Sequence, residues 1–366
     1  MRSVLFILIL ILAPRAWSLE ARVLIEDKQS SQELVGEFTI QKKVPRRSKL
    51  YPFALGKWKI ERTSSGIHIQ NLQNQKTFSL KGRAFEISGD FQLKGRGLKK
   101  LSFHAQKKEN HWVAHLPIDQ YLYGVMAAEV PSSWPAESLK AQAVASRTYF
   151  LFKKLKRKKD HYDVRSDIMD QVFLIDGKKS QSVIEAVDAT HGLVLVSNHS
   201  QRVFPAYFHA DCGGQTSTEG GVWRQPSSVN QSVADPVCQR APKNNWNFSI
   251  ARDRLMSLLR RRFLVPLTAE LRYILPRLKK NHRAHYVDFI FSENIYKRMS
   301  ANDFRRLLGY SKLRSTQFQV QDGHQHVHFS GRGFGHGVGM CQWGAQRWAR
   351  KGKKFREILS HYYPGA

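Results

Sequence analysis

The most constraining feature of the chain lies near its end, in the segment Gly331–Gln346, GRGFGHGVGMCQWGAQ. Five glycines in the nine residues 331–339 surround His336. Such a stretch has few side chains to pack and loses much backbone entropy on ordering, so it holds a fixed shape where a strand or a ligand comes close to its backbone. The glycine spacing invites a nucleotide-binding reading, but the dinucleotide fingerprint begun at Gly331 needs a glycine where His336 stands. The phosphate-loop pattern with its Lys-Ser/Thr pair is absent as well. The segment therefore reads as a close-packed loop that fixes the angle of His336, either as a hydrogen-bonded structural histidine or as a site residue.

The rest of the 366 residues suggests one large or two medium domains at about 100–200 residues each. With 42% hydrophobic residues, the chain is globular rather than disordered. No internal repeat with a period of about 20–50 residues is visible. Arg2, the apolar run Val4–Ala13 and the small residues of Ala16-Trp17-Ser18 read as a signal peptide over 1–18, cleaved before Leu19. Residues 19–110 alternate apolar and polar positions, as in Arg22–Glu26, Leu34–Gln41 and Thr77–Leu80, and read as a β-rich N-terminal region. From 111 to 366 strands and helices mix. Helices are expected from Ser133 and Pro135 into a lysine cluster, at Val183–His191, at Arg252–Phe263, at Ser300–Leu308 and from Ala345 to Tyr362. Strands are expected at Leu193–Ser197, Phe204–Ala210, Ala284–Phe291, Thr316–Val320 and His326–Ser330. The irregular alternation favours an α+β fold over a doubly wound sheet.

A formal net charge of +30 raises the question of a polyanionic partner. The basic residues are dispersed, with dense runs only at Lys153–Lys159 and Arg260–Arg262, and no zinc-finger or RRM signature interleaves them. Nucleic acid is therefore not the expected partner. For an exported chain, the charge fits peripheral contact with anionic envelope polymers in the periplasm, the cell wall or the extracellular space. Of the three cysteines, Cys212 and Cys238 suit a disulfide in an oxidising compartment. A structural zinc held by His209, Cys212 and Cys238 is the alternative; it lacks an evident fourth ligand, Asp211 and Asp235 being the nearest candidates. Cys341 is then the odd thiol. No cofactor is expected to be required, a structural zinc being the one candidate.

The chemistry points to Leu116–Phe150, where Glu129 follows an apolar stretch and directly precedes Val130-Pro131. A carboxyl group with apolar neighbours pays for desolvation when it ionises, and so keeps a proton more readily. That is what a general acid needs at a glycosidic oxygen. A second segment, Tyr207–Trp223, carries two glycine pairs and reads as tight turns.

These three segments, in this order, resemble the stage II sporulation protein D family (the SpoIID/LytB group). The carrying residues are Glu129-Val130-Pro131 with Lys140–Tyr149, then Asp170-Gln171-Val172-Phe173, then His209-x-x-Cys212-Gly213-Gly214-x-Thr216 with Trp223 and Asp235-x-x-Cys238. Asp303-Phe304-Arg305, then Gly333–Gln342 with Gly344-Ala345, complete the match over about residues 110–365. Cys341 stands where the family pattern usually carries serine. The resemblance implies a strand leading into Glu129, with residues 111–366 as the catalytic region. It implies peptidoglycan glycan strands as substrate and Glu129 as the catalytic residue of a lytic transglycosylase. The alternative it implies is a non-catalytic enhancer of an N-acetylmuramoyl-L-alanine amidase. Family members associated with zinc at the His-x-x-Cys region keep the metal reading open. On this basis Arg147, Gln171, Tyr207, His336 and Gln342 are expected to line the glycan groove, since planar polar groups and aromatic faces hold sugars.

Overall fold

Alternation of buried and exposed positions builds the first half of the chain. In the computed structural model, which describes residues 19–25, 31–42, 49–105, 110–177, 180–223, 229–238, 244–279 and 281–366, the chain divides into two units. One comprises residues 19–134 with Ser146–Val194; the other comprises Pro135–Ala145 with Leu195–Ala366. The signal peptide expected at 1–18 lies outside the described residues. None of the described helices is long and apolar enough to cross a membrane.

The first unit is organised by a nine-stranded sheet. Its strands are β1 (Glu20–Ile25), β2 (Ser31–Lys42), β3 (Lys49–Arg62), β4 (Gly66–Asn71), β5 (Thr77–Lys81), β6 (Ala84–Leu93), β7 (Arg96–Ala105), β8 (Asn110–Pro117) and β9 (Val164–Arg165), in the order β5-β4-β3-β2-β6-β7-β8-β1-β9. All pairs are antiparallel except β1 with the two-residue β9. Along β2, Leu34, Phe38 and Ile40 are buried while Glu33, Val35 and Glu37 are exposed, the period of two that a half-buried strand requires. In register, Leu34 faces Leu93 and Ile40 faces Ile87. Phe38 stacks on Phe53 at 5.3 Å, and Trp58 meets both edge-on.

Three helices accompany the sheet: α1 (Ile118–Glu129), α2 (Ala136–Lys156), whose first residues count with the other unit, and α3 (Gln181–Asp188). The strand expected before Glu129 is instead α1. Its buried residues Ile118, Tyr121, Leu122, Val125 and Met126 recur three, four, seven and eight positions apart, which is helical rather than strand spacing. α2 follows directly on Pro135, with Glu137 in its first turn and Lys153, Lys154 and Lys156 in its last, each charge matching the nearer end of the helix dipole. Ser180 caps α3 by accepting from Val183 N at 3.4 Å.

In the second unit, β10 (Phe208–His209) pairs in parallel with β17 (Met340–Cys341). Two antiparallel three-stranded sheets run β11 (Asn245–Ala251), β16 (His326–Arg332), β15 (Phe318–Asp322), and β12 (Leu271–Leu278), β13 (Ala284–Phe291), β14 (Tyr296–Ser300). Around them lie α4 (Glu219–Trp223), α5 (Arg252–Phe263), α6 (Ala301–Leu308), α7 (Gln342–Arg350) and α8 (Phe355–Tyr362). Phe289, Phe304, Phe318 and Phe329 sit in the core that α5 and α6 share with these sheets. α5 and β13 have the bounds expected from sequence. Leu193–Ser197, expected as a strand, joins no ladder, and Phe204–Ala210 contributes only the two residues of β10. The closing helix is two helices, broken where Gly352 turns the chain at φ 86°. The fold is α+β.

Asp163, fully buried, ties β1 to the end of α2. Its carboxylate accepts from Arg22 N at 2.9 Å, from the Arg22 guanidinium at 2.6 and 3.1 Å, and from Lys154 Nζ at 3.0 Å. Burial alone would raise this carboxyl, but the bonds from Arg22 and Lys154 outweigh it and hold it below its ordinary value. A depressed folded-state value means stability that is present above the unfolded value of about 3.9 and lost as pH falls below it. Asp163→Asn is expected to cost about 2 kcal/mol at neutral pH, and much less at about pH 3. Urea unfolding at both pH values checks this; an equal loss at both would contradict it.

Candidate functional site

Glu129 ends α1, half-buried, and Val130 leaves the helix extended at φ −140° and ψ 144°. Glu129 Oε1 accepts from Val172 N at 3.1 Å. That donor is in place because residue 124 is glycine. A Cβ there would lie 2.4 Å from the Phe173 ring and 2.8 Å from Leu174 O, so any side chain would push the 171–174 segment off α1. Phe173 stacks on Tyr121 at 5.4 Å, and Tyr121 Oη donates to Gln171 Oε1 at 2.9 Å. Gln171 Nε2 donates in turn to Ser146 O at 3.4 Å. Asp170 is fixed by Lys153 at 2.6 Å, by Arg165 N at 2.8 Å and by Arg157. Gln171 is therefore a buried brace behind Glu129, with both ends of its amide bonded inside the protein.

Arg147 is buried too. Its guanidinium donates to Thr190 O at 2.7 Å, Val187 O at 3.2 Å and Leu193 O at 3.2 Å, and approaches Asp119 at 3.5 Å. It adds a side-chain donor to carbonyls at and just beyond the end of α3. Burial lowers the Arg147 guanidinium from its ordinary value, with Asp119 opposing.

The other expected residues lie in the second unit, where the glycine-rich segment threads past residues 207–217. Asp211 bridges Phe334 and Ser217 bridges Val338. The tightest approach is at Gly339, φ 71°, where a Cβ would fall 2.0 Å from Tyr207 O. This explains the glycine density: the segment packs against another backbone. His209 and His336 share Val338 between them. His209 Nδ1 donates to Val338 O at 3.1 Å, and Val338 N donates to His336 Nδ1 at 3.0 Å. These partners fix the tautomers, with the proton on Nδ1 in His209 and on Nε2 in His336. Burial, then the Arg283 guanidinium, lowers His209 to about 3; burial, then His209, Arg305 and Arg283, holds His336 well below its ordinary value.

Half-buried Tyr207, Trp223 and His336 form an aromatic group, with Tyr207 and Trp223 ring centroids 4.5 Å apart and Trp223 5.0 Å from His336. Trp223 was not among the residues expected in the groove, although its motif was noted. Gln342, buried, opens α7. Glu129, Arg147 and Gln171 thus fall in the first unit, and Tyr207, His336 and Gln342 in the second.

The cysteines depart from the expectation. Cys212 and Cys238 are free thiols and not a disulfide, and Cys341 joins them. Register explains it: His209 pairs with Cys341 across β10 and β17, which brings the odd thiol beside the Cys212 turn. Cys238 Sγ lies 3.2 Å from Cys341 Sγ, and Cys212 Sγ donates to Asp235 Oδ2 at 3.4 Å. Burial, then Cys238, pushes Asp211 up to about 8, and burial likewise raises Asp235 to about 6. His209, expected as a metal ligand, is not part of this group.

An α+β protein with a braced glutamate at a helix end, and with histidines held by a glycine-walled turn, is what fold and site define. The stage II sporulation protein (SpoIID) family matches residues 106–196, the stretch holding Glu129, Arg147 and Gln171. The chain is similar to an uncharacterized protein of Brachyspira hyodysenteriae, 32% identical over 286 residues covering 78% of this chain and 75% of that one. It is 27% identical to stage II sporulation protein D of Bacillus amyloliquefaciens over 281 residues, 72% of this chain and 78% of the relative. It is also 26% identical to the amidase enhancer of Bacillus subtilis over 351 residues, 81% of this chain and 48% of the relative. The chain belongs to the stage II sporulation protein D family.

Both histidines are expected to stay neutral through the range of about pH 5–8 in which histidine ordinarily titrates. Their imidazole NMR shifts should be flat across it. A midpoint near 6.5 for either ring would show that the Val338 arrangement does not hold.

Proposed function

We propose that this protein is an exported lytic transglycosylase that cleaves the glycan strands of peptidoglycan with Glu129 as its single acid and base. A peptidoglycan-related role is supported by membership of the family and by similarity to the amidase enhancer. The observation that carries the finer reading is the setting of Glu129: half-buried, at the last position of α1, with one oxygen held by Val172 N. The Val172 N–H bond holds one carboxyl oxygen in place, which suits a group that must give a proton and take one back at fixed atoms.

In this reading, protonated Glu129 donates to the oxygen joining C1 of N-acetylmuramic acid to the next N-acetylglucosamine as that bond breaks. The 2-acetamido group stabilises the positive charge developing at C1. The Glu129 carboxylate then removes the proton of the C6 hydroxyl, whose oxygen closes on C1 to give the 1,6-anhydro sugar. No water is consumed and Glu129 ends protonated, so the two-carboxylate spacing of ordinary glycosidases is not required. Tyr207 and Trp223 offer the kind of half-buried aromatic faces on which sugar rings pack. The basic surface would hold the protein to anionic envelope polymers.

The similarity to an amidase enhancer favours a second reading, in which the protein binds glycan and stimulates a muramoyl-alanine amidase without cutting. Glu129→Gln separates the two. Purified protein should solubilise peptide-stripped glycan, and Glu129→Gln should lower the rate at least about a hundredfold, the lower end of what a lost general acid costs, with circular dichroism and glycan binding unchanged. Full activity in the variant would remove the transglycosylase reading. Absence of cleavage by either protein, with amidase stimulation intact in both, would establish the enhancer.

A further inference from the structure

Cys212, Asp235, Cys238 and Cys341 are all buried, and their three sulfurs and one carboxylate oxygen lie within 4.8 Å of one another. We propose that these four side chains are the ligands of one zinc ion, a centre of three thiolates and one carboxylate that pins the Cys212 turn, the Asp235–Cys238 turn and the start of α7 together. It lies within the second unit and is independent of the reading of Glu129.

Three observations carry it. The first is the backbone around the sulfurs. Cys341 Sγ accepts from Cys212 N at 3.2 Å and from Gly344 N at 3.3 Å, and Cys212 Sγ accepts from Gly214 N at 3.4 Å. Amide donors converging on sulfur stabilise thiolates, the form that binds metal, as they do around other metal-bound thiolates. The second is Asp235. A buried carboxylate needs partners. Oδ2 accepts from Tyr362 Oη at 2.6 Å, an outer bond that orients it, while Oδ1 is buried with no hydrogen-bond partner among the described residues. The third is charge. Three thiolates and a carboxylate around Zn²⁺ leave two negative charges, and the buried guanidinium of Arg283, which donates to Cys212 O, offsets one of them.

The donor set selects the metal. Thiolates favour zinc over calcium or magnesium, and four ligands close a structural tetrahedron. A disulfide would use two of the three sulfurs and give no role to the third or to Asp235 Oδ1. Zinc–sulfur bonds of about 2.3 Å place tetrahedral sulfurs about 3.8 Å apart, so uptake opens the Cys238–Cys341 pair from 3.2 Å. Zn²⁺ displaces the three thiol protons into solvent as it binds.

The test uses the full chain, with zinc alone as probe. After zinc loading and dialysis, elemental analysis should find one zinc per chain. A strong chelator should remove it and make all three thiols reactive in denaturant. Cobalt(II) in place of zinc should give the intense thiolate charge-transfer and tetrahedral bands, a readout that needs no variant. Tyr362→Phe, which removes only the outer bond to Asp235, should weaken zinc binding about tenfold, and Cys341→Ser should weaken it further. A zinc-free protein after loading overturns the proposal, whether two thiols are then locked as a disulfide or all three react freely. So does an octahedral cobalt spectrum.

Discussion

The contact on which the second unit depends is backbone against backbone, where the glycine-rich segment 333–339 lies on residues 207–217. A single Cβ at Gly339 would fall 2.0 Å from Tyr207 O, and one at Gly335 2.7 Å from His209 Cβ. Everything chemically interesting nearby follows from that approach. It puts Val338 between His209 and His336 and sets both tautomers. It aligns β10 with β17, so that Cys341 stands beside His209 and within reach of Cys212 and Cys238. A bulkier segment would hold none of these side chains at these angles.

The first unit uses a different device toward a similar end. Here buried polar side chains spend their hydrogen bonds on each other and on backbone, and the product is one fixed carboxyl group. Gln171 links Tyr121 to Ser146 O, Asp170 gathers Lys153 and Arg157, and the segment so anchored delivers Val172 N to Glu129. Arg147 does the same for α3. Gln171, expected to contact a ligand, is here part of the frame that fixes Glu129. In the proposed reaction such preorganisation would serve the rate, because a fixed group needs no rearrangement as charge develops.

Much of the fold was legible because local pattern determines it. β2 and β5 follow from alternation, α5 from its helical period, and α2 from Pro135 and its charged ends. Glu129 stands out in the sequence by its apolar setting and motif, and the structure places it half-buried at the end of α1. What was not legible depended on pairing across long separations. The sheet order that inserts β6 beside β2 and returns β1 beside β8 leaves no local trace. Nor does the contact of Cys341 with Cys212, 129 residues away in the chain, which replaces a disulfide by a cluster of three thiols. The strand that the resemblance implies before Glu129 is α1, since the buried positions from Ile118 to Met126 follow the helical period. Trp223 was quoted in a motif, but only its distance to Tyr207 and His336 gives it a place in the aromatic group.

In the proposed reaction Glu129 runs a cleavage in which the sugar's own hydroxyl, and not water, attacks. Digestion of peptide-stripped glycan in water enriched in oxygen-18, read by mass spectrometry, tests it most directly. The expected result is 1,6-anhydro products that carry no heavy oxygen. Products with one oxygen-18 at the cleaved end would mean hydrolysis, and would contradict the role given to Glu129.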